Sequence, residues 1–231
     1  MFRELGLAPV WRLKSRPADQ GEEGDAKPAW NVQRLADTGP AVMEMDWAQL
    51  GEAVLNCTLC DLHLTRTQGV VGVGDRNADW LIIGEAPGAD EDAKGEPFVG
   101  QAGKLLDAML AAIGLKRGEN VYIANVLKSR PPGNRNPQPE EVTACLPYLE
   151  RQIQLIQPKL ILALGRFAAQ TLLDTEEAIG RLRGRVHQRQ GVPLIVSYHP
   201  AYLLRNPVDK AKAWEDLCLA RATMSEGTGR T

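Results

Sequence analysis

The sequence has few cysteines and no long apolar segment, and each absence excludes a class of protein. Its 231 residues include four cysteines, too few for a secreted scaffold held by disulfides. No apolar run approaches the roughly 20 residues that a membrane-spanning helix needs. The first residues, MFRELGLAPVWRLKSRP, also lack the apolar stretch and the cleavage site of a secretory signal. We therefore expect a cytoplasmic protein without membrane contacts.

Two glycine-rich motifs of nucleotide-binding proteins are also missing. A P-loop requires the pattern G-x4-G-K-[ST], but Phe98 and Leu105 stand where its first glycine and its hydroxyl residue would lie. The segment GEAPGA does not match the dinucleotide fingerprint G-x-G-x-x-G. We therefore expect no nucleotide cofactor.

The net charge of −2 conceals segments that are rich in basic residues. The segments KSRPPGNR (128–135) and RLRGRVHQR (181–189) contain arginine or lysine but no acid. Such segments favour one local site for an anionic ligand, although arginines also occur in surface loops that bind nothing.

Composition divides the chain into three parts. Residues 1–45 are predicted to be a flexible N-terminal extension, because they are polar, rich in glycine, proline and charge, and show no hydrophobic period. Residues 46–222 are predicted to form one folded domain that begins with a helix capped by Asp46. Residues 223–231 are predicted to be a disordered tail.

Four short apolar segments alternate with helical patterns in the folded domain. They are DWLIIG (79–84), NVYIANVLK (120–128), KLILALG (159–165) and VPLIVSYHP (192–200). Apolar strands separated by helices are typical of a parallel sheet that is covered on both faces. The sequence therefore predicts an α/β fold with three layers, α/β/α, and a central, mainly parallel four-stranded sheet.

Unusual loops follow three of these strands. Their sequences are GEAPGADEDAKGEPFVG, NVLKSRPPGNR and YHPAYLLRNP. Ligands of open α/β sheets bind outside the carboxyl ends of the strands, so the three loops are expected to converge on one site.

The first of these loops contains acids and one aromatic residue. Glu85, Asp90, Glu91 and Asp92 lie close in sequence to Phe98. Carboxylates beside an aromatic wall could position a water molecule next to a flat ligand. The alternatives are that the acids are solvated, above all Asp90 and Asp92, and that Phe98 belongs to the core.

Asn125 and His199 stand at the ends of two strands. A side-chain amide presents a donor and an acceptor side by side, which suits the edge of a pyrimidine. A histidine held by the following proline can donate a hydrogen bond to developing negative charge. Either residue could instead have a purely structural role, in a turn or in the core.

Two cysteines have the spacing of metal ligands. Cys57 and Cys60 form a C-x2-C pair, and two further ligands would complete an iron–sulfur or zinc site. Cys145 lies on an apolar helix face and Cys218 near Trp214, so both could also be simple core residues.

The loop motifs together resemble those of family 4 (iron–sulfur type) uracil-DNA glycosylases. The motifs are GEAPGADEDAKGEPFVGQAGKLLDAML, NVLKSRPPGNRNP and HPAYLLRNP, and the resemblance covers roughly residues 50–222. It implies an α/β/α protein that excises uracil from DNA as a monofunctional glycosylase and so initiates base excision repair. It also implies a monomer whose partners are uracil-containing DNA and downstream repair proteins.

The resemblance implies roles for individual residues. Phe98 would stack on the flipped uracil, Asn125 would read its polar edge, and His199 would stabilise negative charge on the leaving base. Glu85 and Glu91 would shape the pocket and position water.

Further residues would line the base pocket or contact the DNA. Ala86 occupies the position at which other glycosylase families place a catalytic aspartate, and it belongs to the substrate-binding set. Leu203 and Leu204 could form an apolar wedge in the DNA. The candidate phosphate contacts are Lys128, Arg130, Arg135 and Arg205.

The resemblance also implies a 4Fe–4S cluster, and here the sequence departs from the family. Cys57, Cys60 and Cys145 match three of the four cysteine ligands, whereas Ser129 stands at the remaining position. Ser129 could ligate iron, a three-cysteine site could hold a labile cluster, or the cluster could have been lost. The retention of the three cysteines at family positions favours a bound cluster.

An alternative function is a non-catalytic DNA-binding or polymerase-associated module of the same fold. The joint presence of Phe98, Asn125 and His199 favours the enzyme.

Overall fold

The structure is a computed structural model, and it describes residues 41–228. Most of the predicted extension, residues 1–40, lies outside the described residues, and residues 41–44 are helical. The final helix continues to Thr228, beyond the domain boundary at 222 that the sequence predicted. None of the helices within 41–228 is long and apolar enough to cross a membrane.

The centre of the fold is a mixed sheet of six strands. They are β1 (Val73–Gly74), β2 (Trp80–Gly84), β3 (Val121–Asn125), β4 (Leu160–Leu164), β5 (Val186–Arg189) and β6 (Val192–Ser197). Their order in the sheet is β1-β3-β2-β4-β6-β5.

The four predicted strands β2, β3, β4 and β6 are present and parallel. The prediction of a four-stranded sheet was incomplete, because β1 and β5 add one antiparallel strand at each edge. Strand β1 is only two residues long, and β5 has the polar sequence VHQR. Neither has the continuous apolar run by which the central strands were found.

Eight helices are described by the structure within residues 47–228. They are α1 (Trp47–Leu55), α2 (Ala89–Lys94), α3 (Gln101–Ala112), α4 (Pro139–Ile156), α5 (Arg166–Leu173), α6 (Ile179–Leu182), α7 (Pro200–Arg205) and α8 (Lys210–Thr228). Short 3-10 turns occur at Asp61–Leu64, Pro132–Asn134 and Pro207–Asp209. Helix α1 begins as the sequence predicted, since the carboxylate of Asp46 accepts hydrogen bonds from the N–H groups of Ala48 and Gln49.

The central strands bury both faces, which explains their apolar sequences. In β2, Leu81 and Ile83 point into one core, whereas Trp80 and Ile82 point into the other. Helices α4 and α5 cover the first face, and α3 and α8 cover the second. The predicted three-layer α/β/α arrangement is confirmed.

Candidate active site

The carboxyl ends of the four parallel strands open into one cavity of about 770 Å³, which we call the strand-end cavity. Its walls include Glu85 after β2, Asn125 at the end of β3, Gly165 after β4 and His199 after β6. Ala86 and Phe98 also line it. The prediction that the loops converge on one site is confirmed.

Asn125 places a buried hydrogen-bond acceptor at the wall of this cavity. The residue is 3% exposed, and its Oδ1 has no hydrogen-bond partner among residues 41–228. A buried amide oxygen without a donor costs about 1–3 kcal/mol, so such oxygens are normally paired. The donor is therefore expected to be an N–H group of a ligand bound in the strand-end cavity.

Gly84 allows the Asn125 side chain and the Phe98 ring to approach β2. The two residues Gly84 and Asn125 are direct neighbours in the parallel pair of β2 and β3. A Cβ atom on Gly84 would lie 2.4 Å from Asn125 Oδ1 and 2.6 Å from Phe98 Cζ. Both distances are far below van der Waals contact, so a larger residue would displace two walls of the cavity.

Phe98 is held in a conformation that few non-glycine residues adopt. Its φ is +55°, in the left-handed region. Arg117 donates hydrogen bonds to the carbonyl oxygens of Pro97 and Phe98, at 3.0 and 2.8 Å. The Phe98 ring stacks on that of His199, with centroids 5.4 Å apart and an interplanar angle of 27°. Phe98 is thus both a buried core residue and a wall of the cavity.

His199 is held as a neutral ring with a defined tautomer. Its Nδ1 accepts a hydrogen bond from the N–H of Ala201 at 3.1 Å, which leaves the proton on Nε2. Burial, together with the positive charge of Arg205, lowers the pKa of His199 to about 4, although Glu91 opposes the shift. At neutral pH the residue is therefore an uncharged donor through Nε2–H.

Glu85 and Glu91 have different surroundings. Both oxygens of the Glu91 carboxylate accept backbone N–H groups, from Gly88 at 3.1 Å and from Val99 and Gly100 at 2.9 and 3.2 Å. Glu91 therefore ties the glycine-rich loop together. Within the described part of the chain, no hydrogen bond to the Glu85 carboxylate is found, and burial raises the pKa of Glu85 to about 7 against the opposing charge of Arg166. Of the two acids, Glu85 is the one available to water.

Asp92 is not the solvated acid that the sequence suggested. It is buried, and its carboxylate accepts hydrogen bonds from the backbone N–H of Thr67 at 2.9 and 3.0 Å. It fixes the segment that follows the cysteine pair.

Two of the predicted DNA contacts are wrong because the side chains are buried. Lys128 is 1% exposed, and its Nζ donates to the carbonyl oxygen of Asn125 at 2.7 Å and to Gln152 at 2.6 Å. Leu203 is also 1% exposed, whereas the adjacent Leu204 is 45% exposed. Lys128 supports the backbone of Asn125, and Leu204 is the apolar side chain on the surface.

Two of the three remaining basic candidates line the cavity. Arg205 is exposed and lines the cavity. Arg135 also lines it and forms a bidentate ion pair with Glu141. Arg130 is half-buried and donates to Asn134 Oδ1 at 2.8 Å.

The second basic segment, 181–189, does not contribute to the site. Arg183, Arg185 and Arg189 form ion pairs with acids of the same chain. His187 contacts the carbonyl oxygen of Leu182 through Nε2. Internal pairing accounts for these charges, so the expectation of an anion site does not extend to this segment.

Arg166 is a cavity residue that the sequence did not reveal. It lines the cavity and begins α5, directly after β4. The segment GRFA (165–168) also follows the carboxyl end of a parallel strand, but its ordinary composition gives no signal of a site. Gly165 there has φ of +93°, and a Cβ atom on it would lie 3.0 Å from the Cβ of His199.

Three cysteines come together near the loop that follows β3. Cys60 and Cys145 are buried and Cys57 is half-buried. Burial is the largest cause that raises the pKa of both Cys60 and Cys145, and the nearby Cys57 thiol contributes to each shift. The fourth cysteine, Cys218, is exposed on α8, which covers the opposite face of the sheet.

The donor set does not fit a cluster held by four thiolates. Ser129 is 4% exposed, and its Oγ accepts a hydrogen bond from the guanidinium of Arg66 at 2.7 Å. A hydroxyl releases its proton much less readily than a thiol, and the Arg66 guanidinium already occupies a lone pair of this oxygen. Across residues 41–228, no group of three or more His, Cys, Asp or Glu side chains is arranged to hold a metal ion.

Comparison with known proteins relates this chain to a single superfamily. Residues 71–218 match the family model described as "Uracil DNA glycosylase superfamily". The chain is 55% identical to a type-4 uracil-DNA glycosylase of Archaeoglobus fulgidus over 67% of this chain and 81% of that protein. It is 43% identical to the type-4 enzyme of Pyrobaculum aerophilum over 76% and 93% of the two chains. Identity to the type-4 enzyme of Thermotoga maritima is 46% over 68% and 82%.

Proposed function

Because the chain belongs to the uracil-DNA glycosylase superfamily, we propose that it is a monofunctional uracil-DNA glycosylase. It hydrolyses the N-glycosidic bond of uracil in DNA and thereby initiates base excision repair. The observation that carries this proposal is the buried, unpartnered Oδ1 of Asn125 at the wall of the strand-end cavity.

Asn125 is suited to select uracil. Uracil has an N–H donor at N3 beside a carbonyl acceptor at O4, which complements an amide oxygen and an amide NH₂. Cytosine has an acceptor and an amino donor at these positions, so it would face the amide oxygen with a lone pair. Selection by Asn125 works because an unsatisfied buried polar group is costly.

The stacked pair of Phe98 and His199 is suited to receive a base taken out of the helix. Extrusion of a base costs a few kcal/mol, least for a mispaired or single-stranded one. An aromatic wall recovers part of this energy by stacking. Leu204, exposed next to the cavity residue Arg205, is the side chain that we assign to fill the space left in the DNA, and Arg205 is assigned to a phosphate.

Cleavage of the glycosidic bond leaves positive charge on the sugar and negative charge on the base. The cavity stabilises the negative charge. The electron pair of the C1′–N1 bond passes to uracil, whose O2 gains negative charge, and the Nε2–H of His199 donates to that oxygen. A water molecule positioned by Glu85 adds to C1′, and Glu85 accepts its proton. The uracil anion then takes up a proton from solvent, and Glu85 releases its own proton to solvent, so the products are free uracil and an abasic site. No step passes through a metal.

We further propose that the protein acts as a monomer in the cytoplasm and leaves the abasic site to downstream repair proteins. The residues assigned to base binding, to cleavage and to the DNA backbone all lie around the one cavity, so the proposed reaction calls for no residue of a second copy.

A gel assay on an oligonucleotide with a single uracil tests the proposed function. Incubation followed by alkali is expected to cleave the strand at the uracil position and to leave a matched thymine oligonucleotide intact. Binding of the uracil strand without any alkali-labile product would instead establish the non-catalytic module.

The pH dependence of the reaction is expected to report Glu85. The carboxylate, not the acid, accepts a proton from water, so kcat/KM should rise as pH increases through the Glu85 pKa of about 7. Between pH 6 and pH 8 the rise is expected to be about tenfold. His199, with its pKa of about 4, stays neutral over this range, so its titration should not change kcat/KM.

Glu85→Gln separates this interpretation from a general effect of pH. The variant is expected to be slow and nearly independent of pH between 6 and 8, when uracil release is followed under kcat/KM conditions. A variant that keeps the rising limb would assign the titration to another group.

A further inference from the structure

Arg66 joins the cysteine-bearing segment to the loop that follows β3. Its guanidinium donates to Ser129 Oγ at 2.7 Å, to the carbonyl oxygens of Leu55 and Cys57 at 2.7 and 3.0 Å, and to that of Val54 at 3.3 Å. Four acceptors from two distant parts of the chain thus share one planar cation. We call the bond to Ser129 the Arg66–Ser129 link.

The segment that directly follows Arg66 is fixed by two sets of backbone contacts. The buried carboxylate of Asp92 binds the backbone N–H of Thr67, the next residue after Arg66. The N–H of Val70 donates to the carbonyl oxygen of Lys128 at 2.8 Å, directly beside Ser129. The guanidinium therefore reaches Ser129 from a backbone whose position is already determined.

From these contacts we infer that the Arg66–Ser129 link holds the loop after β3 in the way that a cysteine ligand would hold it to a metal cluster. The link ties the loop to the segment of Cys57 without metal, and the three cysteines remain as thiols. Arg66 is thus a positioning residue for the DNA-facing side of the cavity.

The chemistry of Ser129 favours a hydrogen bond from Arg66 over ligation of iron. A serine hydroxyl has to lose its proton to ligate iron, whereas it accepts from a guanidinium without any change of state. Hydrogen bonds between a charged and a neutral group are stronger than those between neutral groups, above all where water is excluded. The serine is 4% exposed, so this condition is met.

The link acts on the cavity through the loop 130–136. Pro131, Asn134, Arg135 and Asn136 line the strand-end cavity together with Asn125. Ser129 is the base of this loop, and Arg130 and Asn134 are joined within it. Loss of the link would loosen the rim that contacts DNA, while His199 and Glu85 stand on other strands and keep their places.

The test uses the full chain and four variants. Arg66→Gln removes the donor of the link and Ser129→Ala removes its acceptor. The double variant removes both. Arg181→Gln, at an exposed arginine on α6, is the matched control. The measurements are kcat and KM for uracil release, equilibrium unfolding in urea, and iron content of wild type after anaerobic reconstitution with iron and sulfide.

Wild type is expected to bind far less than one iron per chain under these conditions and to keep its activity in the presence of a chelator. Ser129→Ala is expected to raise KM by about tenfold, with kcat within about twofold, as the loss of one charge-assisted hydrogen bond predicts. Arg66→Gln, which also loses the contacts with three carbonyl oxygens, is expected to raise KM at least as much. The double variant should be no worse than Arg66→Gln alone, because both changes remove the same bond. Arg181→Gln should match wild type.

Two results would overturn the inference. One is a reconstituted wild type that holds close to four irons per chain and loses activity when they are removed. The other is an additive double variant, which would show that Arg66 and Ser129 act separately.

The kinetic part of this test rests on the proposed function, whereas two other parts do not. If wild type released no uracil, the proposed function would fail, and iron content together with the coupling of the two substitutions in urea unfolding would still decide on the link.

Discussion

Replacement of His199 by alanine is expected to slow the single-turnover release of uracil by about 10²–10³-fold, the usual effect of removing one donor to a developing oxyanion. The neutral ring presents Nε2–H because Nδ1 accepts from Ala201 N–H. The loss should appear in the chemical step, so binding of uracil-containing DNA should change much less than the rate. Rapid mixing of excess enzyme with a labelled uracil oligonucleotide measures the rate, and anisotropy measures binding.

His187→Ala is the control for this substitution. His187, on β5, contacts the carbonyl oxygen of Leu182 and lies outside the cavity, so its loss should leave the rate unchanged. If His199→Ala retained more than a tenth of the wild-type rate, His199 would be a structural residue and another donor would have to serve the leaving base.

Gly84→Ala is expected to lower kcat/KM for uracil by about 100-fold or more, since a shift of about 1 Å in a catalytic group can have that effect. The new methyl group would lie 2.4 Å from Asn125 Oδ1 and 2.6 Å from the Phe98 ring, so both the base reader and the stacking wall must move. The substitution adds one carbon and removes no functional group, so a loss of activity can be assigned to the displacement of Asn125 and Phe98.

Gly51→Ala supplies the matched control for the glycine substitution. Gly51 lies inside α1, and a Cβ atom there would have no atom within 4 Å. It should leave activity intact and stabilise the helix slightly. Near-normal activity of Gly84→Ala would mean that Asn125 and Phe98 do not act on the base in the positions described.

The placement of the main site residues followed from the sequence, because they lie at strand ends. Asn125 and His199 end strands that are apolar enough to identify, and parallel strands bring their ends to one side of the sheet. Phe98 was brought to the same place by a loop rich in glycine. The topology thus located these side chains without any knowledge of contacts.

The errors concern the direction of side chains, which sequence alone does not give. Lys128 looked like a loop cation, but residues 121–129 are buried without interruption, so its stem continues into the core. Leu203 and Leu204 are adjacent, and only the helical turn of α7 decides which of them is buried. No local sequence pattern marks Arg66, because its partner Ser129 lies 63 residues away in the chain.

The two short edge strands have a consequence for how separate molecules meet. A long flat edge with free N–H and C=O groups invites a second copy to add its own strand, which leads to aggregation. Here one edge is the two-residue β1, and the other, β5, carries His187 and Arg189, whose side chains turn back to the carbonyl oxygens of Leu182 and Leu172. The apolar central strands are thus flanked by edges that offer a neighbouring molecule little to pair with.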